Sequence, residues 1–441
     1  MMLKAKSVHI FAWPFEICCG QSLENIRTAI KRKGWRKKQR EVLDPDEFML
    51  KKYLSSSARS IFCEEKDICE VYEFPVSEDT FYIINDYELP IYSLELHLYH
   101  MGSGVLFIHL KNEIYKSVED IRKINDYGRR ISIPFLPDSP DGFILCADRI
   151  GVKAKNEEYI TDFRKAIKIW SGNKKAVDEK TQECLEQPAD FLYQLVGCTK
   201  NQIETTSDDR MFTFALVRDE ELSEKIKESY SETNEELLDQ LYKIIFVDPD
   251  DATCQNREMK TAILKNAVYE RWSDYGTLYG VTNFSMLCIT SETEWVNASV
   301  VRPFLIEYKY LVSLVLAQKT GIAMFSEMAG AIVKGVDDSK LINRKQAKRL
   351  INLQEQYITF KNQVLILEVS SQEQGIELYQ LLRKQMQIEE EQAILDEQLE
   401  SLYEVTNVSN GNRIEKLGIV LAGLAIAVDI VLNLVITLLG K

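Results

Sequence analysis

The stretch Leu417 to Gly440, LGIVLAGLAIAVDIVLNLVITLLG, constrains this chain more than any other. Its 24 residues carry one charge, Asp429, and one side-chain amide, Asn433. A helix of that length, rising ~1.5 Å per residue, extends roughly 36 Å against a hydrocarbon core of ~30 Å. Buried core helices seldom stay apolar on every face over so many turns. The expectation is a single C-terminal transmembrane helix at 413–441. Arg413 and Lys416 precede the run and only Lys441 follows it. By the positive-inside rule the large N-terminal body then lies in the cytoplasm of a single-pass cell-membrane protein.

Asp429, Asn433 and Thr437 recur at every fourth position and share one helix face, continued by Gly418, Ala422 and Ala425. A carboxylate at mid-membrane costs ~2.5–3.5 kcal/mol on insertion scales and is normally hidden in a bundle or a watery pore. Two readings stay open. A ring of Asp429 side chains would favour cations, or the stripe only packs against neighbours with Asp429 protonated. Either one requires self-association.

Upstream, a chain of 441 residues is too long for one ordinary core. A net charge of −14 argues against bulk nucleic-acid binding. Nine scattered cysteines without a CxxC pair fit a reducing compartment and no disulfide framework or zinc site. Residues 1–298 read as an α/β or α+β sensing domain. Strands are expected at Val8–Ala12, Cys69–Phe74, Phe81–Ile84, Ile91–His100, Val105–Leu110, Phe143–Cys146, Met211–Val217 and Leu278–Thr290. Helices are expected at Tyr159–Trp170, Ala189–Val196 and Glu220–Ile245. In Ile91–His100, Leu94, Leu96 and Leu98 alternate with Glu95 and His97, the period of a half-buried strand.

Residues 299–412 read as a helical stalk. Its last helix, 374–405, places Leu381, Gln385, Ile388, Gln392, Leu395, Leu399 and Leu402 on a heptad seam. With the dip through Thr406–Asn412 bridged, residues 374–440 would form one helix on the order of 100 Å long.

Lys31, Arg32, Lys33, Arg36, Lys37, Lys38 and Arg40 crowd into ten residues around Trp35. They are candidates for holding a nucleotide or other anionic ligand, or equally a solvated run of charge. Arg271, Trp272, Tyr275, Tyr279 and Asn283 are candidates for a ligand pocket, or an ordinary strand with its turn. His97, His100 and His109 fall on one expected hairpin without diagnostic metal spacing. No GxSxG, Walker A, GxGxxG or HExxH pattern is present, so no catalytic order is visible.

An α/β body, then helices, then a long acidic stalk helix running into an apolar C-terminal span: this order resembles the CorA family of divalent-cation channels. The resemblance covers the architecture and rests on Val301–Gly440. The family's Gly-Met-Asn motif and second span have no counterpart here. It implies a funnel-shaped homo-oligomer, a pentamer, with Asp429, Asn433 and Thr437 facing a pore and magnesium as the ion. CorA-like proteins also serve as membrane effectors in bacterial antiviral systems that sense a nucleotide signal. The expected function is ligand sensing in the body that controls ion passage or membrane perturbation. The alternative is a tail-anchored scaffold whose stalk recruits a partner.

Overall fold

The computed structural model describes residues 6–39, 44–63, 68–155, 157–172, 177–230, 234–334 and 344–404. Its strands are β1 (Ser7–Ile17), β2 (Arg36–Lys37), β3 (Cys69–Phe74), β4 (Phe81–Ile84), β5 (Tyr87–Tyr99), β6 (Ser103–Asn112), β7 (Arg149–Ala154), β8 (Glu157–Asp162), β9 (Ile203–Thr205), β10 (Phe212–Arg218), β11 (Val268–Tyr269), β12 (Leu278–Val281) and β13 (Ser285–Thr290). The helices are α1 (Leu23–Lys33), α2 (Pro45–Tyr53), α3 (Ser56–Phe62), α4 (Val118–Arg129), α5 (Phe163–Gly172), α6 (Glu179–Glu186), α7 (Asp190–Val196), α8 (Glu220–Ser229), α9 (Glu235–Ile245), α10 (Arg257–Ala267), α11 (Glu294–Val296), α12 (Lys309–Lys334), α13 (Arg344–Gln363) and α14 (Glu373–Gln385). A further helix covers 388–404.

The chain forms two compact units. Of the described residues, one unit takes those up to Gly321 with Lys361–Glu389; the other takes those of Ile322–Phe360 with those from Glu390 to Glu404. All thirteen strands join one sheet in the first unit, in the order β11-β12-β13-β10-β1-β6-β5-β4-β7-β8, with β3 also on β5, β2 on β3 and β9 on β1. Neighbours along this path are antiparallel except β10 and β13. Pro14 lacks an N–H to give the ladder. It falls where the partner of β1 changes from β10, which ends opposite Ala12, to β9, which begins opposite Phe15.

The side-chain alternation of β1, β6 and β5 gives the sheet two faces. Phe11, Trp13, Leu94, Leu96, Leu98, Leu106, Ile108 and Leu110 form one apolar core with Ile26, Ile30 and Ile124 of α1 and α4. Ala215, Val217, Leu287 and Ile289 continue that face under α8 and α9. The opposite face presents Glu95, His97, Phe107, His109 and Phe214 to the chain between α11 and α14. Phe304 stacks on Phe214 with ring centroids 4.1 Å apart, and Ser313 Oγ lies 2.7 Å from His97 Nδ1. In the second unit, Phe325 packs against Tyr357 and Phe360, and the Tyr357 hydroxyl donates to Asp396 at 2.9 Å.

Several expectations are corrected. Residues 159–162 belong to β8, and helix begins only at α5, where Asp162 accepts the Lys165 N–H. Phe143–Cys146 makes no strand; the guanidinium of Arg164 donates to the carbonyls of Pro140 and Gly142 beside it. Glu220–Ile245 is two helices, the second capped by Asn234. The stalk is not one long helix. α14 ends at Gln385, and Gln387 turns left-handed at φ 56° before helix resumes at 388. Of the heptad seam, Ile388, Leu395 and Leu399 are buried, while Gln385 donates to the Asn266 carbonyl.

The expected fold class is corrected in the same way: the described chain is a mixed α/β fold with helices on both faces of its sheet, and it contains no transmembrane stalk. Among the described residues no helix is long and apolar enough to cross a membrane. α12 has the length, but Lys309, Lys319 and Glu327 interrupt it, and its apolar residues are spent on burial against the fold. The single-pass cell-membrane placement is withdrawn on that finding. Asp429, Asn433 and Thr437, with the whole of Leu417–Gly440, lie outside the described residues.

Candidate functional site

β5 sets Ser93, Glu95 and His97 on one face by its two-residue period. β6 adds His109, which pairs with Ser93. The register slips between Ile91 and Ser93. Such a bulge re-aims a side chain, and here the Tyr92 hydroxyl reaches to 3.4 Å from His109 Nδ1. Above this face the chain enters by α11 and two π-helical turns, Asn297–Val301 and Phe304–Tyr308, on either side of Pro303. Proline removes one N–H from the helical ladder, and single π turns of this kind are frequent at functional sites. They bring Leu305 and Ile306 over the sheet and start α12 at Lys309. α2 closes a further side. Pro45 occupies its first turn, and Asp44 accepts the N–H groups of Asp46 and Glu47.

These elements enclose a cavity of about 290 Å³ lined by Lys38, Asp46, Glu47, Leu50, Tyr92, Ser93, Glu95, His109, Leu305, Ile306, Lys309 and Tyr310. At its floor the Lys309 ammonium donates to both Glu95 oxygens at 2.6 Å, and each of these residues is only 6% exposed. His97 Nε2 and His109 Nε2 stand 3.6 and 3.8 Å from the same carboxylate. Both atoms are buried without a hydrogen-bond partner. Lys38 Nζ pairs with Glu73 at 2.9 Å and Glu47 at 3.5 Å, and Arg302 pairs with Asp46.

Burial pushes the Glu95 carboxyl up, but Lys309, His97, His109 and Lys38 outweigh it and hold it well below the usual carboxylate range. Burial pulls the Lys309 ammonium down from its ordinary value against the pull of Glu95. Burial also lowers His97 to about 4 and His109 to about 3, with Glu95 opposing, so both imidazoles are neutral near pH 7. A neutral imidazole has one donor and one acceptor nitrogen. The cavity therefore offers ammonium donors, carboxylate acceptors and an unfilled imidazole valence within one partly enclosed space. Among the described residues no group of three or more His, Cys, Asp or Glu is placed to hold a metal ion.

The basic run does not act as one patch. Lys31 and Arg32 are exposed on the last turn of α1, where they complement the helix dipole before Gly34 ends the helix left-handed. Lys33 donates to the Tyr159 hydroxyl, Lys37 pairs with Glu70, and Arg36 is exposed on β2. Trp35 is buried and donates to the Leu195 carbonyl. Only Lys38 reaches the cavity, and Arg40 lies outside the described residues.

Nor do the second group of candidates line one pocket. Tyr279 is fully buried and accepts from Gln374, whereas Asn283 is exposed at the β12–β13 turn. Trp272 and Tyr275 form a surface aromatic cluster with Trp295, and Arg271 pairs with Glu373 and Glu377. Of the histidines, His97 and His109 meet at the site; His100 lies in the turn beside Arg27. Sequence reading did not single out Glu95, Lys309 or Tyr92. A lysine at the head of the apolar run Tyr310–Ala317 was the available signal.

No family model, curated protein or solved structure matches the chain.

Proposed function

We propose that the first unit is a ligand-sensing domain that takes a small polar molecule into the cavity at the head of α12. The observation that carries this reading is the Glu95–Lys309 pair, buried beside two imidazole nitrogens that have no hydrogen-bond partner. Taking two charges out of water costs several kcal/mol per ion, and apolar residues of similar volume commonly do as well or better for stability. An unfilled buried valence adds to that cost. Groups retained at such expense and lining a cavity are candidates for binding. At about 290 Å³ the space suits a metabolite at the small end of the ligand range.

α12 supplies Lys309 and Tyr310 to the cavity and continues past Gly321 into the second unit. A ligand that binds better to one setting of this helix than to another shifts its population. α12 is thus the element along which occupancy would be read out.

The test is thermal unfolding in the presence of separate millimolar panels of amino acids, monocarboxylates, amines and nucleoside monophosphates. At least one panel is expected to raise the wild-type midpoint, and Ser93→Phe, which fills the cavity, to abolish the response. If no panel shifts the midpoint, or if Ser93→Phe responds as the wild type does, the cavity is not the site.

A further inference from the structure

Each cation around the cavity already meets a carboxylate: Lys309 meets Glu95, Lys38 meets Glu73 and Glu47, and Arg302 meets Asp46. A ligand bearing only an ammonium leaves both lysines unengaged, and one bearing only a carboxylate must take an ammonium from its partner and leave that partner uncompensated in a partly buried space. That loss is expensive. A neutral ligand avoids the loss but forgoes the charge-assisted hydrogen bonds that lysines and carboxylates make best. A ligand with both charges keeps the balance. Its carboxylate can be shared by the ammonium groups of Lys38 and Lys309. Its ammonium can meet Glu95 or Glu47 and fill the free Nε2 of His109, which is 2% exposed and lines the space. Leu50, Leu305 and Ile306 also line the space and offer an apolar surface for a side chain.

We infer that the cavity takes a small zwitterion, a free amino acid with an apolar side chain. This rests on the cavity being the binding site, and it goes further by naming the chemistry.

The experiment is calorimetric titration of the full chain with L-leucine, with isocaproate, which lacks the amine, and with isoamylamine, which lacks the carboxylate. Adenosine monophosphate and glycerol stand for the nucleotide and the neutral polar ligand. L-leucine is expected to bind one per chain and tighter than either analogue by roughly 10- to 100-fold, the worth of one charge-assisted hydrogen bond. Lys309→Met strands Glu95 and can unfold the site. The paired variant Glu95→Leu with Lys309→Met, apolar on both sides, is therefore the control, and it is expected to stay folded and lose leucine binding. Equal binding of isocaproate or isoamylamine, or tighter binding of adenosine monophosphate or glycerol, overturns the zwitterion while leaving the cavity as a site. Binding of leucine that survives in the paired variant overturns the placement. Binding of none of the five probes overturns the zwitterion, and the broader thermal panel then decides whether the cavity binds anything.

Discussion

His9 and His109 lie on neighbouring strands, are both buried, and are treated in opposite ways. On the apolar face of the sheet, His9 Nε2 lies 2.9 Å from Ser7 Oγ and Nδ1 lies 2.7 Å from Asn125 Oδ1, so both valences are filled. On the other face, His109 has a long contact to Tyr92 and a bare Nε2 toward Glu95. The buried ions repeat the contrast. Asp126 of α4 bonds Arg129 at 2.9 Å and Arg130 at 3.2 Å, Arg130 reaches on to Asp209, and Arg129 donates to the Val247 carbonyl. That network is internally satisfied and ties elements together. The Glu95–Lys309 pair borders open space and imidazole nitrogens that lie beyond hydrogen-bond distance of any partner. The same chemistry serves structure in one place and, on this account, recognition in the other.

The sharpest way to break that contrast is to remove Asp126. Asp126→Ala takes the carboxylate from buried Arg129 and leaves Arg130 with Asp209 alone, and since neither guanidinium can lose its charge it should cost about 3–5 kcal/mol in urea unfolding. Leucine binding per folded molecule should be unchanged. Lys309→Met comes next, at about 3 kcal/mol near neutral pH. Its cost should shrink on acidification because Glu95, unlike an arginine, can neutralise itself by taking a proton. Replacing Glu95 by Leu as well should recover most of the loss, and a loss left standing would class the pair with the structural network.

Acid unfolding gives smaller effects of known sign. His9 and His97 are lowered to about 4 and His109 to about 3, from 6.5, by burial. Between those values and 6.5 the unfolded chain binds more protons, so stability is complete above pH 6.5 and lost as pH falls. His109→Gln should flatten that limb by about 2 kcal/mol at about pH 5. Glu307 works the other way. Burial raises its carboxyl from 4.5 to about 7, with Arg302 opposing, so the native state holds the extra proton. Stability then falls as pH rises across that window, and Glu307→Gln should gain about 1–2 kcal/mol above pH 7. Least of all, Lys31→Ala and Arg32→Ala should change stability by less than about 0.5 kcal/mol, as exposed charges do.

Much of the first unit was legible from sequence, because short β-branched and aromatic runs mark strands wherever neighbours supply the sheet. β3, β4, β6 and β10 fall where those runs predict. The polar face of β5 is buried, which its own period does not show. Alternation of Leu94, Leu96 and Leu98 with Glu95 and His97 implies a solvated polar side, but the residues that cover it come from Leu305–Ser313, far along the chain. Periodicity reports one strand's amphipathicity and is silent about a distant helix. The heptads from Leu381 onward implied an unbroken stalk, yet the left-handed turn at Gln387 is set by tertiary contacts such as Gln385 to Asn266 and Lys319 to the Met386 carbonyl. Lys38 stands out in the sequence only as one of a run of charges most of which are exposed or paired elsewhere.

The most direct measurement is NMR of ring-labelled histidine during titration with L-leucine. The account predicts saturable shifts at Nε2 of His109, smaller ones at His97, and none at His9, whose valences are already filled across the sheet. Shifts of equal size at His9, or a silent His109 under a ligand that binds, would contradict it.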